Sequence, residues 1–266
     1  MLSSVFRNLA LLSLFFRTSL QRDAAYRADF LLRMFTATLQ MCGELLGLWT
    51  IFANTRTLAG WSAAQVVVLL GVYRLMIGLI GMVIAPNMRL IMEDIRAGTL
   101  DFVLAKPVNC QFYVSFRNFV IWRVNDLVLG LLLVGGGVTV LGRAGDPVGV
   151  ALFVVMAASA ATIIYSLWLM LATSVFWFVR VNNIEMVFWN AFEASRYPVD
   201  IYRPWVRWAL TFLLPLAFIT TFPAGVLTGQ TRGPVVWAGV LMAPLTLALA
   251  SWFWRFGLRH YSGASA

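Results

Sequence analysis

The chain has 266 residues, of which 61% are hydrophobic and only 12% charged, with a formal net charge of +9. Soluble domains run near ~45–50% apolar and ~25% charged, so the composition excludes a water-soluble globular domain and predicts an all-α integral membrane protein. A bilayer core about 30 Å thick takes roughly 20 apolar residues per helical crossing, so residues 1–266 read as one membrane domain of about six transmembrane helices.

Lys106 is the only lysine, and the arginines are scattered between hydrophobic segments. That is the pattern of the positive-inside rule, not a nucleic-acid surface. Cys42 and Cys110 make no disulfide framework, and the single His260 excludes a histidine-rich metal centre.

From the N-terminus, Val5, Leu9, Leu12, Phe16 and Leu20 share one helical face, with Arg7, Arg17, Thr18 and Gln21 opposite. This narrow stripe predicts a cytoplasmic interfacial helix within residues 1–29, lying on the membrane or packed beneath the bundle. Arg7, Arg17, Arg22 and Arg27, with no small-residue cleavage site, argue against a signal peptide. The first span is expected at about Phe30–Phe52 and the second at about Gln65–Pro86, joined by a short loop.

A long amphiphilic segment, 87–117, follows. As a helix it would set Met88, Ile91, Met92, Ile95 and Phe102 on one face, with Glu93, Asp94 and Asp101 opposite, punctuated by Gly98 and Pro107. The third span is expected at about Phe119–Leu141 and the fourth at about Val148–Phe178, with a Gly-Arg-Ala-Gly-Asp-Pro turn between them.

Beyond residue 180 two layouts fit. Either Ile184–Ile201 crosses outward and 202–229 folds back as a broken hairpin, or Arg180–Arg207 stays cytoplasmic and Leu210–Leu227 is the fifth span. Arg196, Arg203 and Arg207 favour the second layout; Pro198, Pro204, Pro215 and Pro223 favour the first. The last span is expected at about Val235–Phe256. Basic residues concentrate before the first span and in 87–117, which places both termini in the cytoplasm.

No Gly-x-x-x-x-Gly-Lys-Ser/Thr loop is present, so ATP hydrolysis would need a separate polypeptide. The chain is expected to be no enzyme and to hold no cofactor or metal. Glu185 and Glu193 are expected to pair with Arg180 and Arg196. Charges within spans are costly to bury and mark function by default. Glu44 and Arg74 lie at comparable depth on antiparallel spans, which predicts an ion pair facing the bundle interior, either a structural clasp or part of a substrate path. Arg123 and Asp126, three apart, are expected to pair locally. Trp49, Phe176, Trp177, Phe188 and Trp189 are candidates for lining an amphiphile path.

The stretch Asp94-Ile-Arg-Ala-Gly-Thr-Leu-Asp-Phe-Val-Leu-Ala-Lys-Pro-Val108 resembles a segment of bacterial permeases in the type-2 class of ATP-binding-cassette (ABC) transporters. So do Tyr197-Pro-Val-Asp-Ile-Tyr202, Leu214-Pro-Leu-Ala-Phe218 with Pro223-Ala224, and the ending Tyr261-Ser-Gly-Ala-Ser265, in that order.

The resemblance implies six spans, a second permease identical or related, and two cytoplasmic ABC ATPase subunits carrying ATP and Mg. It implies a coupling helix within Glu93–Val108, with Glu93, Asp94, Ile95, Arg96, Gly98, Thr99, Leu100, Asp101, Lys106 and Pro107 contacting the ATPase. It also implies a re-entrant outer hairpin at 197–229 involving Tyr197, Pro198, Pro215 and Pro223, which selects the first layout. Residence in the bacterial inner membrane and export of drugs, lipids or saccharides follow from the same resemblance. An importer's coupling loop has a different pattern and spacing. A secondary transporter would want paired broken helices, of which one proline-broken region is present, and a non-transporting scaffold is the other rival.

Overall fold

The computed structural model describes the backbone of residues 2–25, 27–143, 146–178, 182–231 and 233–261; the side chains of 2–5, 24, 25, 27 and 182–184 lie outside it. The expected Arg180–Glu185 pair, the Val5 and Arg27 side chains, the middle of the 142–147 turn and the tail after Tyr261 therefore fall outside the described residues.

The described residues form helices joined by turns and short irregular segments, with one isolated bridge between Leu58 and Trp61. They run α1 (Leu2–Ala25), α2 (Arg27–Asn54), α3 (Ala63–Ala97), α4 (Asp101–Leu104), α5 (Cys110–Phe116), α6 (Ile121–Val140), α7 (Pro147–Phe176), α8 (Asn182–Ala194), α9 (Pro204–Trp208, extended by a π turn Ala209–Leu213), α10 (Leu216–Ile219), α11 (Thr221–Thr228) and α12 (Pro234–Arg259). Four of these, α3, α6, α7 and α12, are long and apolar enough to cross a bilayer. The predicted first span lies in α2, which has 28 residues but is diluted by Arg33, Gln40 and Glu44.

Helix α3 is the hub: 72% of its apolar window is buried, against 33%, 28% and 22% for α6, α7 and α12. It packs on α6 through glycines. A Cβ on Gly71 would meet Gly130 O at 2.9 Å, and one on Gly130 would meet Gly71 O at 2.8 Å. Gly78 against Leu127 and Gly137 against Val68 repeat the arrangement seven residues along each helix. Apolar helices in a bilayer gain little from hydrophobic burial and depend on such close backbone approach. We expect Gly130→Val to force the two helices apart at a cost of about 1–3 kcal/mol. A lowered thermal midpoint in detergent is the readout, and an unchanged midpoint would mean that the seam is not tight.

Helix α3 does not stop at Pro86, where the second span was expected to end, but continues to Ala97. Proline lacks the N–H that would bond to the carbonyl four residues earlier. The chain widens into a π turn at Ile80–Ile84, and the freed Met82 carbonyl accepts instead from Val120 N at 2.9 Å. The break expected from the proline is thus a tie to the start of α6.

Leu31, Leu32, Phe35, Leu39, Leu131, Leu132, Trp237, Leu241 and Leu245 all point outward. In water such faces would drive association; against lipid they are the ordinary exterior of a spanning helix. Helix α1 docks on the strap between α5 and α6. Ser19 Oγ accepts from Phe119 N (3.1 Å), Asp23 from Ile121 N (2.8 Å), and Arg22 donates to Phe119 O (3.2 Å).

The chain after α7 is irregular. Helix α8 has 13 residues, about 20 Å at ~1.5 Å per residue, short of a full crossing. Arg89 meets Glu185 near its start (2.6 Å), while Asp200 beyond its end accepts from Trp61 Nε1 (3.3 Å). Residues 185–200 therefore run from the neighbourhood of the α3 extension to the loop after α2. Leu210–Leu227 is not one helix: it breaks at Leu214-Pro215 and again at Thr220, and Gln230 beyond it reaches Gly60 O (3.0 Å). Pro198 precedes a 3-10 turn at Val199–Ile201, Pro204 opens α9, and Pro223 sits in the first turn of α11, each a position that needs no N–H donor.

Candidate functional site

Two groups of charged residues stand out, one at a tip and one in the interior. The tip is the hairpin from the end of α3 through α4 to α5. Gly98 ends α3 in the left-handed region (φ 68°), where glycine carries no steric penalty. The chain wraps so that Thr99 N bonds back to Asp94 O at 2.9 Å. The Asp94 side chain holds the same turn: Oδ1 accepts from Thr99 Oγ1 (3.1 Å) and Oδ2 from Arg117 Nη2 (2.6 Å). Asp94 thereby ties the outgoing limb of the hairpin to the returning one.

Met88, Ile91 and Met92 are buried and Ile95 is half-buried. Phe102, expected on the same face, is 75% exposed. The register is lost at Gly98, so Leu100 and Val103 turn inward in its place. The tip then presents Glu93, Arg96, Asp101, Phe102, Leu104, Lys106 and Pro107 outward. Lys106 lies against the Tyr113 ring (4.0 Å to its centre) and is in contact with its hydroxyl. Asn109 caps α5 by accepting from Phe112 N (3.0 Å).

From the other end of the sequence, Tyr261 packs on Phe176. Its enclosed hydroxyl faces the Leu100–Asp101 backbone without hydrogen-bond alignment, and burial raises its pKa.

In the interior, Arg74 is 1% exposed. Its Nε donates to Glu44 Oε2 (3.0 Å), and Nη2 lies 2.6 Å from the same oxygen as a charge contact without hydrogen-bond alignment. Nη1 donates to Asp126 Oδ1 (3.3 Å), whose other oxygen accepts from Arg123 Nη1 (2.9 Å). The pair expected across two spans and the pair expected locally on a third are one chain of alternating charge, Glu44–Arg74–Asp126–Arg123. Sequence reading missed the link through Asp126, which is 0% exposed. A carboxylate at the start of an apolar run was the available signal.

Glu193 pairs with Arg196 (3.3 Å), as expected, whereas the described partners of Glu185 are Arg89 (2.6 Å) and Trp189 Nε1 (3.3 Å). Trp168, Phe188, Trp189 and Phe192 form one aromatic cluster, and Phe176 and Trp177 stack into another with α12. Trp49 stands apart, 69% exposed.

The sequence profile of the ABC-2 family transporter proteins matches residues 38–265, and the chain belongs to that family. It is thus a multi-pass membrane permease subunit, and its family works with a separate ABC ATPase. No curated protein and no solved structure matches the chain.

Proposed function

We propose that this ABC-2 permease exports an amphiphilic molecule, drug-like, lipid or saccharide-bearing, from the bacterial cytoplasm across the inner membrane. Two ABC ATPase subunits drive a pair of permeases, identical or related, and both termini of each permease lie in the cytoplasm. The Glu93–Pro107 tip is the surface that receives the ATPase, and the broken helices 197–229 form the outer re-entrant region.

The observation that carries this reading is the exposed tip at the end of an unbroken 35-residue helix. An aromatic side chain flanked by exposed charges is the composition of an interface anchor. A helix about 50 Å long at ~1.5 Å per residue transmits displacement of its end into the membrane. ATP-driven closure of the ATPases would push the two tips together and rock each α3 against α6.

Co-purification from the native membrane tests this. The tagged chain should bring an ABC ATPase with it, and Asp101→Ala with Phe102→Ala should cut the recovered ATPase at least about tenfold, the weight of one interface anchor. Full recovery of ATPase with that variant would rule out the tip as its seat.

A further inference from the structure

Between α2, α3 and the turn after α8 lies a cleft of about 400 Å³ lined by Gln40, Gly43, Glu44, Gly47, Arg196 and Tyr197, among others. Two positions on its α2 wall lack side chains, and the space beside them is open: a Cβ on Gly43 or Gly47 would touch nothing within 4 Å. Apolar walls come from Leu48 and Leu70.

The polar feature of the cleft is Glu44, whose side chain is 9% exposed. Both of its contacts with Arg74 fall on Oε2, and no hydrogen bond from the described residues reaches Oε1. That oxygen is accessible from the cleft, and a carboxylate oxygen free to accept is a strong site for a charged N–H donor. The other charge on the rim, Arg196, is already engaged by Glu193 through its carboxylate (3.3 Å) and its backbone carbonyl (3.1 Å). What the cleft leaves available to a ligand is therefore an acceptor, the Oε1 oxygen of Glu44.

Resting on the permease reading above, we infer that this cleft is a binding subsite for the ammonium head of an amphiphilic amine, with Glu44 Oε1 as its acceptor and the space left by Gly43 and Gly47 taking its apolar part. Arg74 is a positioning residue here: by holding Oε2 it turns Oε1 toward the cleft.

The test uses the full permease–ATPase complex in lipid nanodiscs and displacement binding of octylammonium, with octanol and octyl sulfate as neutral and anionic matches. Octylammonium should bind at least about tenfold more tightly than octanol, the scale of a charge-assisted hydrogen bond, and Glu44→Gln should abolish that preference. Gly47→Leu fills the cleft without touching the ion network. It should weaken octylammonium at least about tenfold while the ATPase remains associated and hydrolysing.

Equal binding of the three probes, or preference for the sulfate, overturns the subsite. So does a Gly47→Leu complex that keeps its octylammonium affinity but loses permease pairing, which would assign the cleft to a second copy of the chain. Because binding is read directly, loss of ATPase association in the parent complex would count against the permease reading instead.

Discussion

Arg74→Met should lower the thermal midpoint of the purified protein by about 6–20 °C, the shift that corresponds to about 3–5 kcal/mol for breaking a buried ion pair from one side. Arg74 is the only cation that touches both Glu44 and Asp126 among the described residues. Without it, among the described residues, Glu44 has no partner and Asp126 keeps only Arg123, which is 28% exposed at its side chain.

The penalty belongs to the stranded carboxylates and not to the arginine. Adding Glu44→Gln and Asp126→Asn to Arg74→Met should therefore restore most of the midpoint. Arg74→Lys should fall between, since one ammonium cannot reproduce the planar fork that reaches two carboxylates. A single Arg74→Met variant as stable as the parent would mean that the four charges are independently solvated. The same series separates scaffold from path: Glu44→Gln alone leaves a neutral acceptor beside Arg74, so transport loss at normal protein level would point to the cleft.

The second large effect is expected at Asp94. Asp94→Ala removes the clasp to Arg117 and the side-chain bond to Thr99, in a setting where the two charged groups are 21% and 16% exposed. Arg117 already has a buried Nε without a partner, so losing Nη2's acceptor leaves the guanidinium doubly deprived. The loss should be about 1–3 kcal/mol, concentrated in the hairpin, because Gly71, Gly130 and the rest of the α3–α6 seam are remote from it. ATP-dependent transport should drop at least about tenfold while the membrane domain still melts near its normal midpoint. Arg117→Ala should give a defect of the same kind, and the double variant should be no worse than Asp94→Ala alone, the mark of Arg117 acting through Asp94. Additive losses would show that Asp94 and Arg117 serve the tip separately.

What the sequence disclosed follows a physical division. Apolar runs at spanning length placed α3, α6, α7 and α12, because a helix in lipid is specified by composition along its whole length. Depth counting along antiparallel helices brought Glu44 and Arg74 to one level, and their side chains meet at 2.6 Å. Asp126 was read only against Arg123 because spacing of three exposes local partners, whereas a contact between α3 and α6 depends on the glycine seam that sets their separation. Phe102 was placed on the buried face because helical periodicity was carried through Gly98, whose positive φ resets the register. Pro86 carried the opposite lesson: its missing N–H is compensated from Val120, a partner 34 positions away that local rules cannot supply. Between Tyr197 and Pro223 the prolines identified irregular backbone but not its course. That course is set by long-range contacts such as Trp61 with Asp200 and Gln230 with Gly60.

The central claim, ATP-driven export through this permease, is tested most directly with inside-out membrane vesicles containing the chain and its ATPase. The account predicts ATP-dependent uptake of an amphiphilic amine dye into their lumen. That uptake should vanish with an ATPase unable to hydrolyse and fall at least about tenfold with Asp94→Ala. Uptake driven by an ion gradient without ATP, or ATP-dependent uptake only in right-side-out vesicles, would contradict it.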